Sequence, residues 1–351
     1  MNVLVTGASG YIGARLVPEL LKRNHRVRAT FSRDVTRAQS FWWGPQVDAV
    51  KMDVLNPRDV REAMQGMDAV YYLVHGMAKA DFMQKDRQSA RIVAEEAKAA
   101  GVQRIVYLTG LVPPVALTDL SDHISSRLEV EMILRASGVP TLALRAAIII
   151  GAGSTSFEIV RQISERLPIQ TVPTWMNSDV QPIAVVDALE ALLRAIEVAP
   201  RTRSYDIGGT ERMSYAKLLR LYARISGLQR PQMPLPLVPD RVVGMLAGMF
   251  TDVPSSTVES LIESLHHDMV CAETDFRRDL MPTGYRMMGL EQAITRALTR
   301  APRESDPADL DPMGSWPSDP AWAGGRIDLV GGRPMRDDSG LGGLLLGPET
   351  S

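Results

Sequence analysis

Three glycines open the chain with the spacing of a phosphate-holding turn, in Thr6-Gly7-Ala8-Ser9-Gly10-Tyr11-Ile12-Gly13. The short apolar run Val3–Thr6 precedes them and the helical pattern Ala14–Arg23 follows, which is the context this motif requires. Gly7 allows the tight turn off the strand, Gly10 lets the backbone approach a pyrophosphate, and Gly13 lets the helix lie close to the strand. Ser9, Tyr11 and Ile12 complete the loop, and the helix start adds unpaired N–H groups and a partial positive charge. The chemistry is dinucleotide binding.

The choice of dinucleotide is written after the second strand, in Ser32-Arg33-Asp34. Arg33 and Ser32 suit a 2′-phosphate, the arginine as a charge-assisted fork. That favours NADP(H), while Asp34 keeps NAD(H) open through the ribose hydroxyls. Asp53 and Val54, ending the third strand, are placed either to meet the adenine or to cap the turn before Pro57.

These residues need a framework, and strands alternating with helices supply one. Strands are expected at Val3–Thr6, Val27–Phe31, Ala49–Met52, Ala69–Val74, Ile105–Leu108 and Thr141–Ile150. Helices are expected at Tyr11–Arg23, Phe82–Ala100 and about His123–Ser137, the last two ended by Gly101 and Gly138. Apolar strands of this kind separated by helices read as a Rossmann-type, doubly wound parallel sheet. Its ligands belong at the carboxyl ends of the strands. The division expected is a dinucleotide-binding domain over 1–150, a smaller and mostly helical substrate lobe over 151–300, and a tail.

In the lobe, helices are expected at Phe157–Arg166, Val186–Glu197, Tyr215–Gly227, Arg241–Met249 and Ser256–His266, with a short strand at Ser204–Ile207. The apolar stretch Leu235–Phe250 reads as a cover for core or cleft. From Ala301 onward 7 prolines and 9 glycines fall among 51 residues, a composition typical of a disordered segment without a core of its own.

Bulk properties exclude several classes. A net charge of −2 leaves no electrostatic footprint for nucleic acid. Cys271 is the lone cysteine, so no disulfide framework exists within the chain and a cytoplasmic setting is the default. The strand at the first residues leaves no room for a cleaved signal, and no apolar run approaches a transmembrane segment. Scattered histidines with one cysteine give no metal-ligand pattern.

The glycine spacing, Asp53-Val54 and Gln181-Pro182-Ile183-Ala184-Val185-Val186-Asp187-Ala188 resemble the atypical or extended short-chain dehydrogenase/reductases. Tyr72-Leu73-Val74-His75-Gly76-Met77, Ser121-Asp122-His123 and Leu144–Ser154 are similar to an NAD(P)-binding bacterial branch of NmrA-like and quinone-reductase-like proteins. The resemblance covers about residues 1–300. It implies a serine ending the fifth strand and a Tyr-x-x-x-Lys pair on the next helix, where the chain has Thr109-Gly110 and His123-Ile124-Ser125-Ser126-Arg127.

His123 and Arg127, four apart, share a helix face, so the geometry of that pair survives with different chemistry. His123 titrates in the range of a neutral-pH proton donor, although the neighbouring cation opposes its protonation. Arg127 suits a ribose or phosphate, and Thr109 a substrate carbonyl. Bland readings stand beside these: a surface His/Arg pair and a strand-capping threonine. Val74 and His75 after the fourth strand would pass under the nicotinamide side or serve only as a turn. Ser154, Thr155 and Ser156 would border the nicotinamide pocket or be only a loop.

The expected activity is an NADP(H)-dependent oxidoreductase passing hydride to a carbonyl, quinone or enone-like small molecule. The alternatives are a non-catalytic NADP(H) sensor of NmrA type and an NAD(P)-dependent epimerase, which lacks its tyrosine here. Pairing of flanking helices into a homo-oligomer is compatible with the family. Longer relatives carry a further domain, so the tail reads as its remnant, and a chain ending near Arg300 would then still function.

Overall fold

The computed structural model describes residues 1–75, 81–235, 251–254, 258, 263, 266–302 and 304–336. The expected helices Arg241–Met249 and Ser256–His266, the apolar stretch after Leu235 and the Gly76-Met77 pair lie wholly or mainly outside them.

Six strands appear in the first 146 residues as β1 (Asn2–Val5), β2 (Arg26–Phe31), β3 (Asp48–Lys51), β4 (Ala69–Tyr72), β5 (Arg104–Gly110) and β6 (Thr141–Ala146). The helices between them are α1 (Tyr11–Lys22), α2 (Pro57–Met64), α3 (Phe82–Ala99) and α4 (Asp122–Ala136). Strand order in the seven-stranded sheet is β11-β6-β5-β4-β1-β2-β3, where β11 is Arg203–Ile207, and every pair is parallel. The chain reverses its direction of winding at β1, between β4 and β2, which opens a crevice at their carboxyl ends.

Period-two alternation divides the buried strand residues between two faces. Val3, Val5, Tyr71, Val106 and Leu144 pack with Leu16, Val17 and Leu20 of α1. Leu4, Val70, Tyr72, Ile105 and Tyr107 pack with Val60 of α2, Val93 of α3 and Leu134 of α4. Both faces are covered, so the strands read as continuous apolar runs. Among the described residues no helix is long and apolar enough to cross a membrane.

At residue 146 the structure departs from the expected sixth strand, whereas the helices expected at Phe157–Arg166, Val186–Glu197 and Tyr215–Gly227 are present within a few residues. The sixth strand stops at Ala146 because its neighbours stop there too: Gly110 of β5 and Ile207 of β11 are its last partners. Chain direction changes, and β7 (Ile149–Ile150) pairs instead with β10 (Ile183–Ala184). The strand expected in the substrate lobe is β11, an edge of the main sheet, delivered by the crossover helix α6 (Val185–Glu197). The sheet therefore draws on residues past 150.

Among the described residues, the rest includes α5 (Thr155–Arg166), α7 (Tyr215–Ile225), α8 (Asp275–Asp279), α9 (Leu290–Leu298) and small strand pairs. Those pairs are β8 (Gln170–Pro173) with β13 (Gln232–Leu235) and β9 (Asp179–Val180) with β12 (Met213–Ser214).

Residues 304–336, expected within a coreless disordered tail, are ordered against the domain. The hairpin β14 (Ile327–Val330) and β15 (Arg333–Arg336) closes this segment, and Met313, Trp316, Ile327 and Leu329 are buried. Its prolines and glycines shape turns over a surface built by α1, α5 and α9, so it shares the main core and needs none of its own. Residues 337–351 lie outside the described residues.

Candidate active site

Thr6 ties the two strands at the crevice together. Its hydroxyl donates to the Tyr71 carbonyl at 3.0 Å and accepts the Leu73 N–H at 3.1 Å. The chain then turns through Gly7, whose φ of +69° is left-handed and whose absent Cβ would lie 3.0 Å from the Leu73 carbonyl oxygen. Gly10 closes the turn by donating to the Gly7 carbonyl at 2.9 Å and begins α1, with no side chain capping the helix. Its first-turn N–H groups and dipole are open to an anion. A Cβ on Gly13 would sit 2.3 Å from the Gly7 oxygen and 2.8 Å from the Ala8 Cα. This cradle, which a single methyl would fill, fits a dinucleotide pyrophosphate.

A cavity of about 240 Å³ extends from this turn along the carboxyl ends of β1, β4, β5 and β6. It brings together Gly7, Gly10, Tyr11, Ile12, Gly13, His75, Thr109, His123 and Arg127, with Ser154, Thr155 and Ser156 closing one side. Leu73, Leu108, Ile124, Ala147, Ile149 and Met269 supply the apolar wall. Sequence reasoning missed these wall residues. Ala147 and Ile149 lie at the unexpected break after β6, and Met269 arrives from a distant loop with no local signal.

Other expected residues lie outside this cavity. Ser32 and Arg33 are exposed beyond β2, and Arg33 makes no ion pair among the described residues. Asp34 is committed: its carboxylate accepts the Thr36 N–H and hydroxyl at 2.8 and 2.7 Å, which hold its pKa below the usual carboxylate value. Asp53 caps its own turn by accepting the Leu55 N–H at 2.9 Å, while Val54 and Val74 are half-buried against the core on the α2–α4 side of the sheet. Ser9 is half-buried in the turn, away from the cavity lining.

The α4 residues differ from expectation in their electrostatics. His123 is buried, and burial followed by the Arg127 charge depresses its pKa to about 3. It is therefore a neutral imidazole near pH 7, which corrects its reading as a neutral-pH acid. Arg127 lies with its stem over Gly110, where a Cβ would meet its Cδ at 3.5 Å. Its Nε has no hydrogen-bond partner, and no carboxylate pairs with it among the described residues. Burial lowers its pKa, and nearby Tyr107 and Asp86 offset part of that. The Thr109 hydroxyl is buried beside the Tyr107 phenol without forming a well-aligned hydrogen bond.

The buried neutral His123 predicts a pH dependence of stability. The unfolded chain takes up this proton below about pH 6.5, whereas the folded chain resists until about 3. Stability conferred by the neutral form is lost as pH falls through that window, by up to about 1.4 kcal/mol per pH unit. Urea melts between pH 7 and 4 should show a shallower decline in His123→Gln than in the parent, and parallel curves would refute the assignment.

Comparison with known proteins meets this geometry. Residues 7–168 match a family model described as NAD(P)H-binding. The chain is 32% identical over 197 residues to a ceramide reductase of Caulobacter vibrioides, covering 54% of this chain and spanning 59% of that relative's length. In fold it resembles the triphenylmethane reductase of Citrobacter sp. complexed with NADP(H), with a TM-score of 0.66 at 17% identity over 85% of this chain and 100% of that one. A nucleoside-diphosphate-sugar epimerase of Staphylococcus aureus gives the same TM-score at 16% identity, over 84% and 99% of the two chains. Residues 7–168 thus match an NAD(P)H-binding domain, on a Rossmann-like fold shared with that triphenylmethane reductase and that epimerase.

Proposed function

We propose that the protein is an NADP(H)-dependent oxidoreductase acting on a carbonyl, quinone or enone-like small molecule. The observation that carries this reading is one cavity joining the glycine turn to Thr109, His123 and Arg127. Gly7, Gly10 and Gly13 would hold the pyrophosphate, and a bound reduced nicotinamide supplies hydride. Arg127 offers a fixed cation to a ribose or substrate oxygen, with the Thr109 hydroxyl as a hydrogen-bond partner. The wall formed by Leu73, Leu108 and Met269 excludes water and strengthens both interactions. His123 serves as a neutral N–H donor or acceptor, and the proton completing a reduction comes from water.

Preference for NADP(H) is supported by the commitment of Asp34 to Thr36 beside the unpaired Arg33. Titration with NADPH and NADH, followed by fluorescence, tests it. Arg33→Ala should weaken NADPH binding roughly 10- to 100-fold, the value of a hydrogen bond to a charged group, and leave NADH unchanged. Equal loss for both nucleotides would remove Arg33 as a phosphate reader, and no binding by the parent protein would sink the proposal.

A sensor without turnover is the second reading, favoured by the absence of a group titrating near neutrality at His123. It predicts NADPH binding with no oxidation across a panel of quinones, enones and aldehydes.

A further inference from the structure

We infer that the segment around Asp319 is a positioning element of the dinucleotide site, acting through Arg15 on the glycine turn and Tyr11. This rests on the proposed dinucleotide reading. Arg15 sits two residues beyond Gly13 and is fully buried, yet it is charged and has every guanidinium nitrogen engaged. Its Nε donates to the Pro312 carbonyl at 2.8 Å. One terminal nitrogen donates to Asp319 at 2.7 Å, and the other to the carbonyls of Ala152 and Gly314 and to Asp319 at 2.9–3.0 Å.

The guanidinium lies 4.1 Å from the centre of the Tyr11 ring and 4.9 Å from that of Trp316. Tyr11 lines the cavity, so the same cation that grips the C-terminal segment forms the back of a cavity wall. Asp319 is held in turn by the Trp316 N–H at 2.8 Å. It presses so close to Gly153 that a Cβ there would lie 2.7 Å from its carboxyl carbon.

The opposite wall is tied to the same segment. Ala152, just before the Ser154–Ser156 edge, donates its N–H to the Met313 carbonyl at 2.9 Å. Glu158 of α5 accepts the N–H groups of Gly153 and Gly324, both at 2.9 Å. Residues 312–324 therefore strap α1 to α5, the two helices whose N-terminal ends flank the cavity. The segment contributes no atom to the cavity lining. Its effect is to hold two walls at one spacing, and by linkage a ligand that needs that spacing must tighten the strap.

The test uses the full chain and three proteins: parent, Asp319→Asn and Asp328→Asn. Asp328 lies in the same segment and pairs with Arg161 at 3.0 Å and Arg300 at 2.7 Å, so its variant loosens the segment without touching Arg15. In ligand-free protein, well below the melting temperature, amide exchange across residues 7–13 should accelerate about 10-fold in Asp319→Asn and stay within 2-fold of the parent in Asp328→Asn. NADPH affinity should fall about 10-fold in the first and remain within 2-fold in the second.

If both variants melt earlier but leave glycine-turn exchange unaltered, the segment is only a stabilising cover and the inference fails. Should Asp319→Asn not fold, Asp319→Glu, which keeps the charge but lengthens the reach, must reproduce the faster exchange or the inference fails. If the parent binds no dinucleotide, the proposed function fails while the exchange comparison still decides the coupling.

Discussion

A chain ending at Arg300 is expected to lose cooperative folding. Deleting the segment removes Asp319, two of the backbone acceptors of Arg15 and the Trp316 ring over its guanidinium, and opens that buried cation to water. The lost hydrogen bonds and packing come out of the roughly 5–15 kcal/mol that hold a typical domain together. The same cut strips Asp328 from Arg161, bares Glu158 and Glu165 on α5, and exposes the surface that covers Met313, Ile327 and Leu329. A chain ending at Arg336 keeps all of these contacts. The first should be insoluble or lack a thermal transition, and the second should melt within a few degrees of the parent. A truncated chain at Arg300 with a normal melt would restore the reading of this segment as a dispensable remnant.

Substituting Gly13→Ala should abolish dinucleotide binding more thoroughly than any change at the charged residues. The new methyl meets backbone atoms at 2.3 and 2.8 Å, so no side chain can move aside and α1 must back away from the turn. Overpacking of this kind costs about 1–3 kcal/mol of stability. A displacement near 1 Å at a positioned site costs on the order of 100-fold. NADPH affinity should therefore fall about 100-fold in protein that retains its circular dichroism. Gly289→Ala, at an ordinary φ of −68° with nothing near the added methyl, should bind as the parent does. Equal affinities for Gly13→Ala and the parent would show that the glycine turn does not approach a ligand.

Local features were legible because local physics sets them. The turn from Thr6 to Gly13, the left-handed glycines ending α3 and α4 at Gly101 and Gly138, and the six strands through Ala146 all follow from short-range pattern. Placing Thr109, His123 and Arg127 beside the glycine turn was also within reach, because parallel strands bring their carboxyl ends to one edge. The end of the sixth strand was not legible: after Arg145 the run Ala146–Ile150 is wholly apolar, and only the end of its neighbours' ladders stops the strand at Ala146. Nor was the burial of His123, the larger cause of its lowered pKa, since it belongs to the packing of α4 on the sheet, whereas the approach of Arg127 follows from their spacing on one helix.

The sequence by itself determined a Rossmann-like sheet with a glycine turn off its first strand, since strand periodicity and glycine spacing act over a few residues. Tertiary structure alone decided that Arg203–Ile207 completes the main sheet and that His123 is buried. It also decided that a proline- and glycine-rich C-terminal segment is stitched to the helix leaving the turn. Arg15 and Asp319 are 304 residues apart. No local pattern marks either as a partner for the other, and only burial, which makes an unpaired charge costly, couples them.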